Sequence, residues 1–256
     1  MKNLLTLLLL PAAALAADKL TVPVDSTPPA KMTAGVGVDF SRGDYGFASD
    51  TDFLSVPLNL SWERGAWSWN AAIPYVTLRG PATVVGGGGT PRASSASTSG
   101  LGDVLLGATD RFRTGADLLN VAFTGRVKLP TADDSRGLGT GRADGYGQFD
   151  FYETVGDYTP FASIGYRALG RSAAYPLKSG AYLGLGSHLR LAAGTVLTFG
   201  YDWGQRILDG GPSTSDATIT LTTGLDAPWQ FVVYGLKGFT DASPNFGGGL
   251  SLARRF

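Results

Sequence analysis

The chain has 256 residues, a formal net charge of zero, no cysteine, 37 glycines and 14 prolines. Balanced charge gives no electrostatic reason to expect a nucleic-acid partner. The lack of cysteine excludes a disulfide framework, thiolate metal ligands and a cysteine nucleophile. So much glycine and proline disfavours a helical bundle and suits strands, turns and loops.

The first 17 residues, MKNLLTLLLLPAAALAA, have the three parts of a secretory signal peptide. Lys2 provides the basic start, Leu4 to Leu10 form the apolar part, and an A-x-A site predicts cleavage after Ala16 or Ala17. The segment is too short for a transmembrane helix. Residues 18–30 are rich in proline, and we expect them to form an extended periplasmic linker.

From residue 31 to residue 256 the chain repeats segments of about ten residues in which apolar residues alternate with small or polar ones. In the second segment, Leu54, Val56 and Leu58 share one face, and Ser55 and Asn59 share the other. This two-residue period is typical of strands with two different faces. Twelve strands are predicted, starting near residues 31, 52, 67, 102, 118, 145, 160, 179, 195, 216, 229 and 246.

The connections between these segments alternate in length. Tight turns at 63–66, 114–117, 156–159, 191–194 and near 227 alternate with longer loops such as 41–51, 79–101 and 129–144. Short turns on one rim, long loops on the other and strands of about ten residues are typical of outer-membrane barrels. Trp62, Trp67, Trp69 and Trp229 lie beside predicted periplasmic turns, where an aromatic girdle is expected.

We therefore predict an all-β fold, a transmembrane antiparallel up-and-down β-barrel of about twelve strands in the bacterial outer membrane, with lipid around it. The alternative is a soluble exported β-sandwich. Its polar faces should carry many charges, whereas here they carry mainly Gly, Ala, Ser, Thr and Asn.

The last seven residues, LSLARRF, place Leu250, Leu252 and Phe256 in one register. An apolar last strand that ends in phenylalanine resembles the assembly signal of bacterial outer-membrane barrels. The resemblance implies a contact with the barrel-assembly machinery through the Phe256 strand. Arg254 departs from it, since an apolar or aromatic residue is usual two positions before the end.

Two glycine-rich stretches stand out, SGLGDVLLGATDRF at 99–112 and KLPTADDSRGLGTGRADG at 128–145. The GLGTG within the second is not a dinucleotide loop, because Arg142 replaces the third glycine, and it lacks the Gly-Lys-Ser/Thr ending of a phosphate loop. In this order and spacing, the two stretches resemble outer-membrane β-barrels of the family labelled for the meta-pathway of phenol degradation. That resemblance implies uptake of aromatic or other hydrophobic compounds, and no catalytic residues.

A candidate gate lies around the second stretch. If the turn at 114–117 lies at the centre of the hairpin formed by the fourth and fifth predicted strands, Asp103 falls opposite Lys128. Both side chains are then predicted to point inward near the external rim. Such a pair either fixes strand register or lines a pore constriction, and the glycines are expected to be hinges of an external loop. The predicted pore or gate residues are Asp103, Arg126, Lys128, Gly137, Gly139, Gly141 and Asp144.

Other candidate chemistry is weaker. His188, the one histidine, is expected to point inward near Ser163, whereas a lipid esterase of the outer membrane would need both on the lipid side. The remaining inward charges, predicted at Asp39, Arg167, Asp202, Asp226 and Lys237, are mixed in sign and predict no strong ion selectivity. We expect neither a cofactor nor a metal.

The sequence thus predicts a passive, non-enzymatic channel for small hydrophobic or aromatic solutes. Two alternatives remain: a non-transporting structural or surface-interaction barrel that exposes the loop 79–101, and, more remotely, an outer-membrane lipid esterase.

Overall fold

The structure, a computed structural model, describes residues 30–85, 88–91, 96–113 and 119–256. The predicted signal peptide, nearly all of the linker and the turn at 114–117 lie outside the described residues. Within them, no α-helix has the length and apolar character needed to cross a membrane. The strands are β1 (Lys31–Gly43), β2 (Thr51–Arg64), β3 (Trp67–Arg79), β4 (Ala82–Val85), β5 (Gly88–Pro91), β6 (Thr98–Leu101), β7 (Val104–Arg113), β8 (Asn120–Leu129), β9 (Asp144–Tyr152), β10 (Tyr158–Ala168), β11 (Gly180–Ala192), β12 (Thr195–Gly204), β13 (Thr214–Thr223), β14 (Trp229–Gly238) and β15 (Phe246–Arg255).

Thirteen of these strands form one closed antiparallel sheet with twelve strand positions. β6 pairs with Tyr75–Leu78 of β3, and β7 pairs with Trp67–Ala72 of the same strand, so β6 and β7 together fill one position. The sheet closes because β1 pairs with both β2 and β15. The predicted twelve-stranded barrel is confirmed. β4 and β5 form a separate hairpin within the loop after β3.

The alternation of residue types produces two different barrel surfaces. In β1 and β2 the outward residues include Val36, Leu54 and Leu58, while Asp39 and Ser55 point inward and are buried. A continuous outer surface of exposed large apolar side chains is the lipid-facing belt of a membrane barrel. It is stabilised by lipid rather than by a protein core.

The short-turn rim carries the aromatic residues. Trp67, Trp69 and Trp229 are 47%, 52% and 52% exposed and point outward at that rim. The guanidinium of Arg254, the departure noted in the sequence, lies 5.5 Å from the ring centre of Trp229 and 5.2 Å from that of Phe256. A cation over aromatic rings is favourable at a membrane interface, which accounts for arginine at this outward position.

The long connections at the opposite rim fold into and over the barrel mouth. One apolar cluster joins side chains of three of these loops to inward residues of β2 and β3; its members are Tyr45, Phe53, Val76, Leu78, Ala82, Val84, Ala132 and Leu138. A second cluster joins the loops 169–179 and 205–213 through Leu169, Tyr175, Leu177 and Ile207. We call the first cluster the plug.

The plug bears on the alternative of a surface-interaction barrel. That alternative requires the loop 79–101 to be exposed, but Ala82, Thr83, Val84 and Thr90 are at most 4% exposed. Its β4–β5 hairpin supplies apolar side chains that pack over the inner face of β2 and β3, so this part of the loop closes the mouth.

Candidate functional site

A buried lysine ties the external loops to the barrel wall. Lys128, near the outer end of β8, is fully buried, and its Nζ lies 2.7 Å from Asp103 Oδ2 and 3.3 Å from Asp144 Oδ2. It also donates to the carbonyl of Arg142 at 2.9 Å and to Thr140 Oγ1 at 3.3 Å. We call Lys128, Asp103 and Asp144 the latch. A buried ion pair of this kind depends on both partners, because either one alone would be an uncompensated charge.

The predicted ion pair between Asp103 and Lys128 is confirmed, but its register is different. Lys128 lies directly across from Leu105 on β7 and from Asp144 on β9. Asp103 precedes β7, and the long lysine side chain reaches it diagonally, as long side chains on neighbouring strands can. The register alone therefore brings only Asp144 beside Lys128.

The GLGTG loop is folded against the latch. The N–H of Ala132 donates to Asp103 Oδ1 at 3.0 Å, and a methyl group placed on Gly139 would lie 2.9 Å from Asp103 Oδ2. Gly137 and Gly141 have φ values of 71° and 64°, a backbone region that favours glycine. The three glycines permit tight turns and close approach, and the loop packs against the latch; the predicted role of the glycines as hinges of an external loop stays a prediction.

Two further hydrogen bonds extend this arrangement to other loops. Asp144 Oδ1 accepts a hydrogen bond from the N–H of Gly170 at 2.8 Å, and Thr83 Oγ1 donates to the carbonyl of Gly137 at 3.0 Å. Lys128 thus contacts the loop 130–143 directly and the loop 169–179 through Asp144, while the β4–β5 hairpin is bonded to the GLGTG loop rather than to the latch. At the solvent side of the loop, Ser135 Oγ donates to Asp133 at 2.6 Å. This hydrogen bond lowers the pKa of Asp133 below its usual range, so its carboxylate is ionised at neutral pH.

Arg126, also predicted for the gate, is not part of the latch. It is two residues nearer the periplasmic end of β8, about 6.6 Å along the strand, and is 6% exposed. Among the described residues it forms no ion pair within 4.0 Å, and its Nε has no hydrogen-bond partner. Arg126 therefore belongs to the lumen wall below the mouth.

A row of inward carboxylates continues along neighbouring strands. Asp150 accepts from Ser163 Oγ at 2.6 Å, and Asp202 lies directly across from Asp216 in the β12–β13 register. Asp216 was missed in the sequence, although its alternation with outward Ala217 and Ile219 could have identified it. Two other predicted inward charges are wrong: Lys237 is exposed on the same face as Trp229 and Phe231, and Asp226 is exposed in the turn before β14.

The histidine and serine considered for an esterase are not in contact. His188 points inward, is 3% exposed, bonds Thr198 Oγ1 through Nδ1 at 2.8 Å and stacks on Phe161. Ser163 lies across from Gly184, which is four residues from His188, or about 13 Å along β11. The hydroxyl of Ser163 donates to Asp150 instead, so this pair lacks the nucleophile–base contact that ester hydrolysis needs.

The lumen contains a cavity toward each end. A cavity of about 120 Å³ at the periplasmic end is lined mainly by polar side chains, including Asn59, Glu63, Arg111 and Gln230. A cavity of about 40 Å³ lies beneath the plug, where Phe53, Val76 and Leu105 form part of its wall. The cavity at the inner end therefore has more polar side chains in its lining than the largely apolar cavity under the outer mouth.

The closed twelve-position sheet, its apolar outer belt and its aromatic rim define an outer-membrane β-barrel. An outer membrane channel from Pseudomonas putida F1 has the same fold with a TM-score of 0.68 and 18% identity, over 92% of this chain and 100% of that one. The KdgM porin matches with a TM-score of 0.52 and 7% sequence identity, over 88% of this chain and 99% of that one. The translocator domain of the autotransporter NalP from Neisseria meningitidis matches with a TM-score of 0.53 and 12% sequence identity, over 98% of this chain and 95% of that one.

At these identities the likeness establishes the fold alone. No protein-family model matches the sequence, and no curated protein matches it either.

Proposed function

We propose that this protein is a passive outer-membrane channel for small apolar solutes, aromatic ones included, and that the plug and the latch form its gate. The observation that carries the proposal is the burial of Lys128 where the loops 130–143 and 169–179 meet the barrel wall. A lysine in that position stabilises the closed mouth, and its loss opens the mouth without disturbing the strand pairing below.

The solute class follows from the character of the lumen below the gate. Phe53, Val76 and Leu78, the barrel-wall members of the plug, and Leu105 beside them are inward residues with at most 6% exposure, and all four line the cavity beneath the loop residues of the plug. Because these apolar side chains point into the barrel, they do not contact lipid. Their surface instead favours the binding of apolar solutes, whose transfer out of water is favourable. The two glycine-rich stretches that resemble the phenol-degradation barrels support the same class.

In the proposed mechanism the solute enters from outside, displaces the GLGTG loop and diffuses to the polar periplasmic cavity. Asp103, Lys128 and Asp144 hold the loop, while Gly137, Gly139 and Gly141 let it pack closely when it returns. Arg126 lines the path below. The driving force is the concentration gradient of the solute, and the mechanism involves no covalent step.

The closed mouth also favours a second candidate, a non-transporting structural barrel. In that case the latch would serve stability alone, and its removal would change the thermal unfolding of the protein without creating a pathway for solutes.

Proteoliposomes separate the two candidates. We expect wild-type protein to accelerate toluene uptake over protein-free liposomes, and Lys128→Met to increase both uptake and ionic conductance several-fold. Lys237→Met, the same substitution on the outward face, is the matched control and should behave as wild type. If neither wild type nor Lys128→Met conducts or takes up toluene, the channel proposal fails and the structural barrel is supported.

A further inference from the structure

The small cavity beneath the plug combines an apolar wall with two polar groups. Phe53, Val76 and Leu105 contribute apolar surface, while Asp39 and Ser55 bring a carboxylate and a hydroxyl. We call this cavity the outer chamber. It lies inside the barrel, between the inner face of β2, β3 and β7 and the side chain of Leu138 from the GLGTG loop.

The polar groups of the outer chamber lie side by side. Asp39 and Ser55 are directly paired across β1 and β2, which puts their Cβ atoms about 5 Å apart on one face. They are 6% and 1% exposed. A small hydroxyl group placed between them can donate to the Asp39 carboxylate and accept from the Ser55 hydroxyl.

Both groups have unused bonding capacity. The hydroxyl of Ser55 has no hydrogen-bond partner among the described residues. Asp39 Oδ1 accepts from the Tyr234 hydroxyl at 2.9 Å, and a carboxylate has further acceptor sites. A buried hydroxyl without a partner is unfavourable, so a ligand that supplies the missing partner is favoured at this position.

Leu138 occupies the space that a ligand would need. Its side chain is 8% exposed, belongs to the plug and lines the outer chamber. A methyl group on Gly100 would lie only 2.7 Å from Leu138 Cδ1, so the glycine leaves room for the leucine. The remaining 40 Å³ holds a few water-sized groups. A ring-sized molecule fits only when Leu138 withdraws.

We propose that the outer chamber is a binding site for a small apolar molecule that carries one hydrogen-bond donor, such as a cyclic alcohol, and that this molecule competes with Leu138. The ligand hydroxyl donates to Asp39 and accepts from Ser55 Oγ, and the apolar body contacts Phe53, Val76 and Leu105. Displacement of Leu138 loosens the GLGTG loop, so the solute itself favours the open gate. This inference rests on the proposed channel function for its physiological meaning, but the binding can be measured without transport.

The test is a titration of the detergent-solubilised full chain, followed by the methyl NMR signals of Leu138 and Val76. The probes are cyclohexanol and methylcyclohexane, which have similar shapes and differ in the hydroxyl group. We expect both methyl groups to shift, with cyclohexanol binding about tenfold more tightly, roughly the value of one good buried hydrogen bond.

Three variants complete the test. Ser55→Ala should remove most of the preference for cyclohexanol, and Leu138→Ala should increase the affinity for both probes several-fold because the competing side chain is gone. Ser251→Ala, in the periplasmic cavity, is the control for Ser55→Ala and should retain the wild-type preference.

Equal affinity for the two probes, or shifts confined to outward methyl groups such as those of Val36 and Leu58, would overturn the inference. If the binding site is overturned in this way but Lys128→Met still shows increased conductance, the channel proposal is retained. Conversely, tight and hydroxyl-dependent binding to a protein that transports nothing would support this site and refute the channel.

Discussion

At the scale of single residues, one ammonium group compensates both buried carboxylates of the latch. Lys128 is fully buried together with the carboxylates of Asp103 and Asp144. Removing one partner of a buried ion pair typically costs about 3–5 kcal/mol, because the remaining charge has no compensation. We expect this cost to destabilise the closed conformation of the loops and not the barrel, because the hydrogen bonds between the strands do not depend on the lysine side chain.

Gly139→Ala should open the mouth without changing any charge. The added methyl group would lie 2.9 Å from both Asp103 Oδ2 and the Cβ of Ala132, so the loop must move away from the latch. We expect a several-fold rise in conductance in planar bilayers. Gly145→Ala, where no neighbouring atom lies within 4 Å, is the control. Equal conductance of the two variants would contradict the packed loop described above.

At the scale of elements, the strands could be predicted from sequence and the plug could not. Leu54, Val56 and Leu58 alternate with polar residues, and this two-residue period fixes which face meets lipid. Tyr45, Val84 and Leu138 belong to loops without a period, so nothing local indicates that they meet. The ion pair of Lys128 with Asp103 was predictable because both flank paired strands, whereas the inward fold of the loop depends on contacts far apart in sequence.

Val84→Asp should unfold the plug and leave the barrel intact. Val84 is 4% exposed within the plug, and an unpaired carboxylate is strongly disfavoured in such a position. Limited trypsin digestion should then cut faster at Arg136 and Arg142, while circular dichroism still reports the β-sheet. Val155→Asp, at an exposed turn residue, is the control. Unchanged protection of both arginines in Val84→Asp would show that the hairpin does not hold the GLGTG loop.

At the scale of the whole molecule, the outer belt, the lumen and the loops have separate roles. The belt fixes the barrel in the membrane, the loops close one end, and the lumen carries charges of both signs. Asp150 on β9, Asp202 on β12 and Asp216 on β13 lie in one cross-strand row, with Ser163 and Gly184 on the two strands between Asp150 and Asp202. We expect this row of carboxylates to favour cations over anions in an open lumen.

Asp202→Asn should therefore lower the ratio of potassium to chloride permeability. The measurement is the reversal potential in a salt gradient, made in the Lys128→Met background so that the mouth is open. Asp110→Asn removes a carboxylate from the outward face of β7 and should leave the ratio unchanged. A ratio that falls equally in both variants would mean that the Asp202 row does not face the conducting path.

We propose that the plug and the latch close the mouth of the barrel, and access to a residue just below them tests this claim most directly. Because the chain has no cysteine, Ser55→Cys places a single thiol just below the plug. Its labelling rate with a membrane-impermeant maleimide added outside intact cells measures access through the mouth. We predict slow labelling with Lys128 present and labelling about tenfold faster or more with Lys128→Met, a change that corresponds to about 1.4 kcal/mol in the opening equilibrium. Equal rates in the two backgrounds would contradict the claim.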